Sequence, residues 1–234
     1  MLKIEKFVTA SPEQWEIIIE GMRNPMNSWE KMDSIPDEYF GPGFYIGEND
    51  HNLMMRLANG GPVHAKYRRM IPVWVTLTAP LYWWKEFDTY KVGTVANSCS
   101  TMHKIQAKEF TLEDFSCEHL GVTVPAELND GEEVFQNLWV ESLKRTIEDL
   151  NIARDFYNRE QNADLKKKYW WQMIQLLPTS YNQKRTVMLN YEVLHNIYFS
   201  RKDHKLNEWH VFCDWIEELP YSEIVIGEKE ATNA

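Results

Sequence analysis

The chain has 234 residues, 44% of them hydrophobic and 13% aromatic, with ten Trp, ten Gly and a formal net charge of −10. That length and apolar content can bury a full core in one large domain or two small ones, and they exclude an intrinsically disordered chain. The acidic balance argues against general coating of nucleic acid and against attraction to an anionic membrane.

Met1 to Lys6 carries an acid and no apolar core, so it does not have the pattern of a secretory signal. Lys3 to Val8 alternates as an opening strand. Ser11-Pro12-Glu13-Gln14 is an N-cap followed by a first-turn proline, with Trp15, Ile18, Ile19 and Met22 as the helical stripe behind it. Residues 24–48, rich in Pro, Gly, Asn and Asp, form a long irregular connection. A short helix from about Asp50 stops at Gly60-Gly61. Ile71 to Thr78 is β-branched and alternating, hence a strand, and Ala79-Pro80 opens a helix carrying Leu81, Trp84 and Phe87. The longest apolar stretch, Met70 to Trp84, is too short to span a bilayer.

Residues 105–129 are a second irregular stretch. Asp130-Gly131-Glu132-Glu133 resembles a capping box, continued by Val134, Leu138, Leu143, Ile147 and Leu150 as a long amphipathic helix. Asp164 begins another helix, ended by Pro178. Val187, Tyr191, Leu194 and Tyr198 mark a third, and Trp209, Phe212, Ile216 and Leu219 a fourth, closed by Pro220. Nothing marks a linker. The expectation is a single α+β domain over residues 1–234, helix-rich with a small antiparallel sheet.

Generic chemical motifs are missing. There is no GxGxxG, P-loop or GxSxG, and the scattered histidines form no metal-ligand spacing, so no metal site is expected. Cys99, Cys117 and Cys213 are odd in number and lack CxxC spacing, which fits a reduced, cytoplasmic setting. Charge distribution says more: residues 61–108 sum to +5 and 165–205 to +6, leaving −21 for the rest. Two basic blocks in an acidic chain point to a small anionic ligand. Lys166 to Lys168 are set apart from this as ordinary helix-surface lysines.

The two basic blocks resemble one family, the flavin-dependent thymidylate synthases. Val73 to Phe87 is similar to the lead-in to that family's Arg-His-Arg signature, a strand followed by an Ala-Pro-type helix start. The signature position is taken by Thr89-Tyr90-Lys91, and Asn97-Ser98-Cys99-Ser100-Thr101-Met102-His103 resembles the family's Asn-Glu-x-Ser-x-Arg-Tyr. His64 matches the family's Gly-His segment in spacing. In the second half, Leu177-Pro178, Asn190, Asn196 and Arg201 follow the family's C-terminal spacing without a gap, with His204 one place from its expected position. The departures are specific. Only Lys91 of the signature keeps a charge, the family's glutamate is Ser98, the arginine after its serine is Met102, and a phosphate-binding arginine is Ile174.

The resemblance implies FAD as cofactor, with NADPH and methylene tetrahydrofolate as co-substrates, and methylation of dUMP to dTMP between subunits of a homotetramer. It places Ser100 and Lys91 at the chemistry and Arg201, Glu86 and Tyr90 at the substrate. It places His64, Asn97, Asn190, Asn196 and His204 at the flavin. Several bland alternatives stand beside these assignments. Asn190 and Asn196 are surface amides if residues 187–201 form one helix, Ser100 sits in a simple turn, and Trp83 and Trp84 are core. The functional alternative is a non-catalytic nucleotide- or flavin-binding protein that keeps the fold as a sensor or structural oligomer.

Overall fold

The computed structural model describes residues 1–39, 43–124, 134–136 and 138–227. Strand β1 (Lys3–Val8) leads into α1 (Pro12–Arg23), whose start is fixed by a reciprocal pair: Ser11 Oγ accepts from the Gln14 amide and Gln14 Oε1 accepts from the Ser11 amide. The connection after α1 contains a short antiparallel pair, β2 (Ile35–Pro36) with β3 (Phe44–Tyr45). Helix α2 (Glu48–Asn59) follows, ending at Gly60 as the sequence predicts. Strand β4 (Pro72–Pro80), α3 (Leu81–Phe87) and β5 (Val95–Ser98) come next, then the antiparallel pair β6 (Val122–Val124) and β7 (Val134–Gln136). Helices α4 (Leu138–Arg159) and α5 (Ala163–Leu176), strand β8 (Asn182–Asn190), and helices α6 (Tyr191–Arg201), α7 (Asn207–Glu217) and α8 (Glu223–Ile226) complete the chain. The larger sheet has the strand order β1-β4-β8-β5. The expected class, helix-rich α+β with a small antiparallel sheet, is what the fold shows.

Two boundaries differ from the sequence reading. Val187 lies in a strand, not in the third helix, because Val187 and Leu189 are buried at a spacing of two before the helical spacing starts at Tyr191. The apolar positions of strand and helix happen to join into one apparent helical stripe. Val134 likewise belongs to β7, and the long helix begins at Leu138. The capping box proposed at Asp130–Glu133 lies outside the described residues.

The chain divides into two compact units, one of Met1, Thr78–Lys85 and Ser98–Lys184, the other of Leu2–Leu77, Glu86–Asn97 and the chain from Arg185 onward. In the first, α4 and α5 form a hairpin whose inner face packs Leu143, Ile147, Leu150 and Met173 against Phe110 and Phe115. Trp83 and Trp84 are fully buried there, and Trp84 Nε1 donates to the Gln183 carbonyl at 2.9 Å, so both indoles are core. In the second, Trp15 packs against Phe44, Tyr191 and Tyr221.

The long connection of the second unit is pinned by a buried carboxylate. Asp50 Oδ1 accepts from Arg23 Nε at 2.6 Å, and Oδ2 accepts from the amides of Asp33 and Ser34 at 3.0 Å and from Ser34 Oγ at 2.7 Å. Asp33 in turn accepts from the Asn49 and Asp50 amides at the start of α2, where the helix dipole favours an anion.

Candidate functional site

Nine of the ten residues singled out from sequence belong to the second unit, and Ser100 belongs to the first. Four of the nine converge. Arg201 closes α6, and its guanidinium is held on two sides: Nε donates to Tyr90 Oη and Nη1 to Glu86 Oε2, both at 2.9 Å. Its Cζ lies 4.9 Å from the Trp209 ring centroid and 5.6 Å from that of Tyr90, within reach of cation–π attraction. Trp209 Nε1 donates to the same Glu86 oxygen at 2.9 Å, and His204 Nε2 stands 3.3 Å from it. His204 Nδ1 accepts from the Leu206 amide at 3.1 Å. With Nδ1 accepting, the imidazole turns its Nε2 edge towards Glu86.

Glu86 Oε2 thus accepts from two donors, Arg201 and Trp209, with His204 Nε2 beside them. Glu86 Oε1 and Arg201 Nη2 have no hydrogen bond among the described residues. The side chains are partly open, 34% exposed for Glu86 and 18% for Arg201.

Local sequence explains the convergence. Glu86 sits in the last turn of α3, where Thr89 closes the helix by donating its amide and its Oγ1 to the Glu86 carbonyl, which carries Tyr90 just past the end. Beyond Arg201 the chain turns at His204, whose amide bonds the Arg201 carbonyl at 3.0 Å, and re-enters a helix at Asn207. Trp209 falls in the first turn of that helix. Phe87 stacks on its ring at 6.5 Å and an interplanar angle of 15°, and Phe212 meets it edge-on. The indole is therefore fixed before it meets Arg201. Trp209 was seen in the sequence only as part of an apolar stripe; its spacing from Arg201 across a short helix–helix turn was the available signal.

The remaining residues have no hydrogen bond to the Arg201 cluster among the described residues. Lys91 is exposed and, with Phe87, Tyr90 and Thr94, lines a small cavity of about 170 Å³. Thr94 Oγ1 is buried there without a partner among the described residues. Asn190 is the N-cap of α6: its Oδ1 accepts from the Val193 amide at 3.1 Å. Its Nδ2 stays open but crowds Gly93, where a Cβ would come within 3.0 Å of it and where φ is +80°. Asn196 is exposed on α6, and Asn97 is exposed on the edge strand β5. His64 is exposed at an apolar cleft of about 450 Å³ lined by Met22, Met26, Tyr67 and Met70. In the first unit, Ser100 lines a cleft of about 570 Å³ with Lys104, Lys108, Tyr181 and Lys184. Its Oγ accepts from the Met102 and His103 amides at 3.2 and 2.8 Å, the geometry of a Ser-turn.

Part of the positive charge counted in the sequence is neutralised internally. Arg68 is buried against Glu192 at 2.8 Å, Arg185 pairs with Asp88 at 2.7 Å, and Arg201 pairs with Glu86. The two basic blocks therefore offer less net charge to a ligand than their sums suggest.

By sequence, no family model and no curated protein matches the chain. Solved structures do. Thymidylate synthase X from Helicobacter pylori, determined with FAD and dUMP, matches with a TM-score of 0.59 at 15% identity, over 97% of this chain and 96% of that one. The UMP/dUMP methylase PolB from Streptomyces cacaoi, bound with 5-Br dUMP, matches with a TM-score of 0.54 at 11% identity, over 93% and 88% of the two chains. The fold is that of the flavin-dependent thymidylate synthases. Both sequence segments that resemble the flavin-dependent thymidylate synthases supply the Arg201 cluster: Glu86 and Tyr90 come from the first, Arg201, His204 and Trp209 from the second.

Proposed function

We propose that this chain is a divergent flavin-dependent thymidylate synthase, one domain over residues 1–234, working in the cytoplasm as a homotetramer. It binds FAD and a uridine monophosphate and methylates the pyrimidine, with methylene tetrahydrofolate as one-carbon donor and NADPH as reductant. The observation that carries the reading is Arg201, a guanidinium fixed by Glu86, Tyr90 and Trp209 with Nη2 left open. An arginine held for packing alone has no need of an open edge; one held for an anionic or carbonyl ligand does. The agreement of fold with proteins that bind dUMP supports the same assignment.

The residues at hand suit a flavin. Asn97, Asn196 and the Nδ2 of Asn190 have polar groups without partners among the described residues, which matches the mixed donors and acceptors of the ring edge and ribityl chain. When bound, the flavin supplies the redox chemistry and the relay of the one-carbon unit. The chain's own part is positioning. Arg201 donates through Nη2, and Tyr90, whose oxygen accepts from Arg201, keeps its hydroxyl hydrogen for a ligand. Lys91 offers a point charge to a phosphate. Ser100, with two amides on its oxygen, keeps its hydrogen as a donor.

The test is reconstitution. Protein incubated with FAD and passed through a desalting column is expected to keep the visible flavin bands and to gain thermal stability by mass action. A colourless protein whose Tm does not move with FAD overturns the proposal. If flavin and nucleotide bind and no dTMP forms with both co-substrates present, the chain is the non-catalytic binding protein instead, a reading that the loss of all but Lys91 from the signature favours.

A further inference from the structure

We infer that the groove between the outer edge of β1 and helix α7 binds an extended, basic segment of another protein by strand addition. The inference is independent of the nucleotide reading and uses none of its residues. Both elements belong to the second unit. Strand β1 ends the sheet order β1-β4-β8-β5, so one of its edges has no strand neighbour among the described residues. Such an edge carries a row of N–H and C=O groups, a template for a further strand. Glu5 to Val8 are all exposed, and Phe7 is 43% exposed even though its ring meets that of Trp215 at 5.7 Å. At six residues β1 spans about 20 Å, the length of a short extended peptide.

Beside the strand lies a groove of about 580 Å³. Its second wall is one face of α7, because Val211, Asp214, Trp215 and Glu218 fall at i, i+3, i+4 and i+7. Val211 is 40% exposed, and with Phe7 it leaves apolar surface for the alternate side chains of an added strand. Trp215 is buried, and its Nε1 has no partner among the described residues. That donor calls for an acceptor, and a peptide brings carbonyl oxygens.

Charge selects the occupant. Glu5, Asp214 and Glu218 line the groove against Lys6 alone. Asp214 and Glu218 are exposed, and neither carboxylate has a hydrogen bond or ion pair among the described residues. Asp214 lies in the last turn of α7 and Glu218 caps it, where the helix dipole is negative, and no basic residue occupies that turn. The two acids therefore add to the dipole instead of offsetting it, and a lysine or arginine from outside relieves both. A second copy of this chain would bring the same acids to the groove, like charge against like. The fitting partner is an extended segment that alternates basic and apolar side chains.

The experiment is fluorescence anisotropy of a labelled hexapeptide of alternating lysine and valine, titrated with the full chain. One control peptide has glutamate in place of lysine. The other is N-methylated at its two central residues, which blocks both of its edges. The lysine peptide is expected to bind saturably, and either control to bind about tenfold or more weakly. The double variant Asp214→Lys with Glu218→Lys, shown to be folded by circular dichroism, is expected to lose a similar factor for the lysine peptide. No saturable binding of the lysine peptide, equal binding of either control, or unchanged affinity in the folded variant overturns the inference. If the variant does not fold, the two control peptides decide the matter on wild type alone. A wild-type oligomer that dissociates in the double variant, measured by light scattering, assigns the groove to a second copy and also overturns it.

Discussion

Arg23 and Arg201 each meet a carboxylate through one short hydrogen bond, yet replacing them with Ala should cost very different amounts of stability. Arg23 and Asp50 are 3% and 0% exposed, and the guanidinium also donates to the Lys31 carbonyl at 3.1 Å and to Ser28. Arg23→Ala leaves a buried carboxylate without its counter-ion, a loss of about 3–5 kcal/mol. For a domain with a typical stability of about 5–15 kcal/mol, that is a large fraction of the total. Arg201 is 18% exposed and Glu86 34%. Water screens that pair, so it contributes about 0–1 kcal/mol, with about 0.5–1 kcal/mol more from the guanidinium over Trp209. Arg201→Ala should therefore cost no more than about 2 kcal/mol. Urea denaturation of the two variants, followed by circular dichroism with m-values compared to wild type, measures both. If Arg201→Ala is as destabilising as Arg23→Ala, Arg201 is a structural residue and the case for a ligand-binding role fails.

Two further outcomes follow from the same contacts. Asn190→Ala removes the oxygen that caps α6 and should lower stability by about 1 kcal/mol, whereas Asn190→Asp, which keeps that oxygen, should be close to neutral; equal losses would mean the cap contributes little. Acidification should destabilise the protein in two stages. Burial holds the His195 imidazole below its ordinary value, so the unfolded chain takes the proton first and stability falls as pH drops below about 6.5. Burial raises the Asp50 carboxyl, but hydrogen bonds from Ser34 and the Asp33 amide, with Arg23, outweigh it and leave it below its ordinary value. That contribution is present above about 3.9 and is lost as pH falls through the folded-state value. A Tm that rises between pH 7 and 5 would contradict the first stage, and His195→Gln should flatten it.

Much of the fold was legible because local signals and packing agree. Ser11 and Gln14 form the cap their spacing announces, Gly60 ends α2, and α5 starts at Ala163, one residue before the Asp164 read from sequence. The errors arose where two periods run together. Val187 and Leu189 alternate as a strand, Tyr191 and Leu194 continue as a helix, and the sum imitates a single helix. That error concealed the role of Asn190, which as a residue between strand and helix is an N-cap before it is anything else. The convergence of Glu86, Tyr90, Arg201 and His204 could be anticipated only through the family resemblance, because the partners are more than 100 positions apart. Composition carried none of it, and the local charge sums overstated the free positive charge because they cannot show that Arg68, Arg185 and Arg201 each face an acid.

The central claim is that Arg201 is held for a nucleotide, and binding tests it most directly. dUMP titrated calorimetrically into FAD-treated wild type should give saturable binding. In Arg201→Ala, shown by its unfolding curve to be folded, affinity should fall by about 10- to 100-fold, the equivalent of about 1.5–3 kcal/mol for a lost charged hydrogen bond. Equal affinity in the two proteins, or no heat of binding in either, would contradict the account.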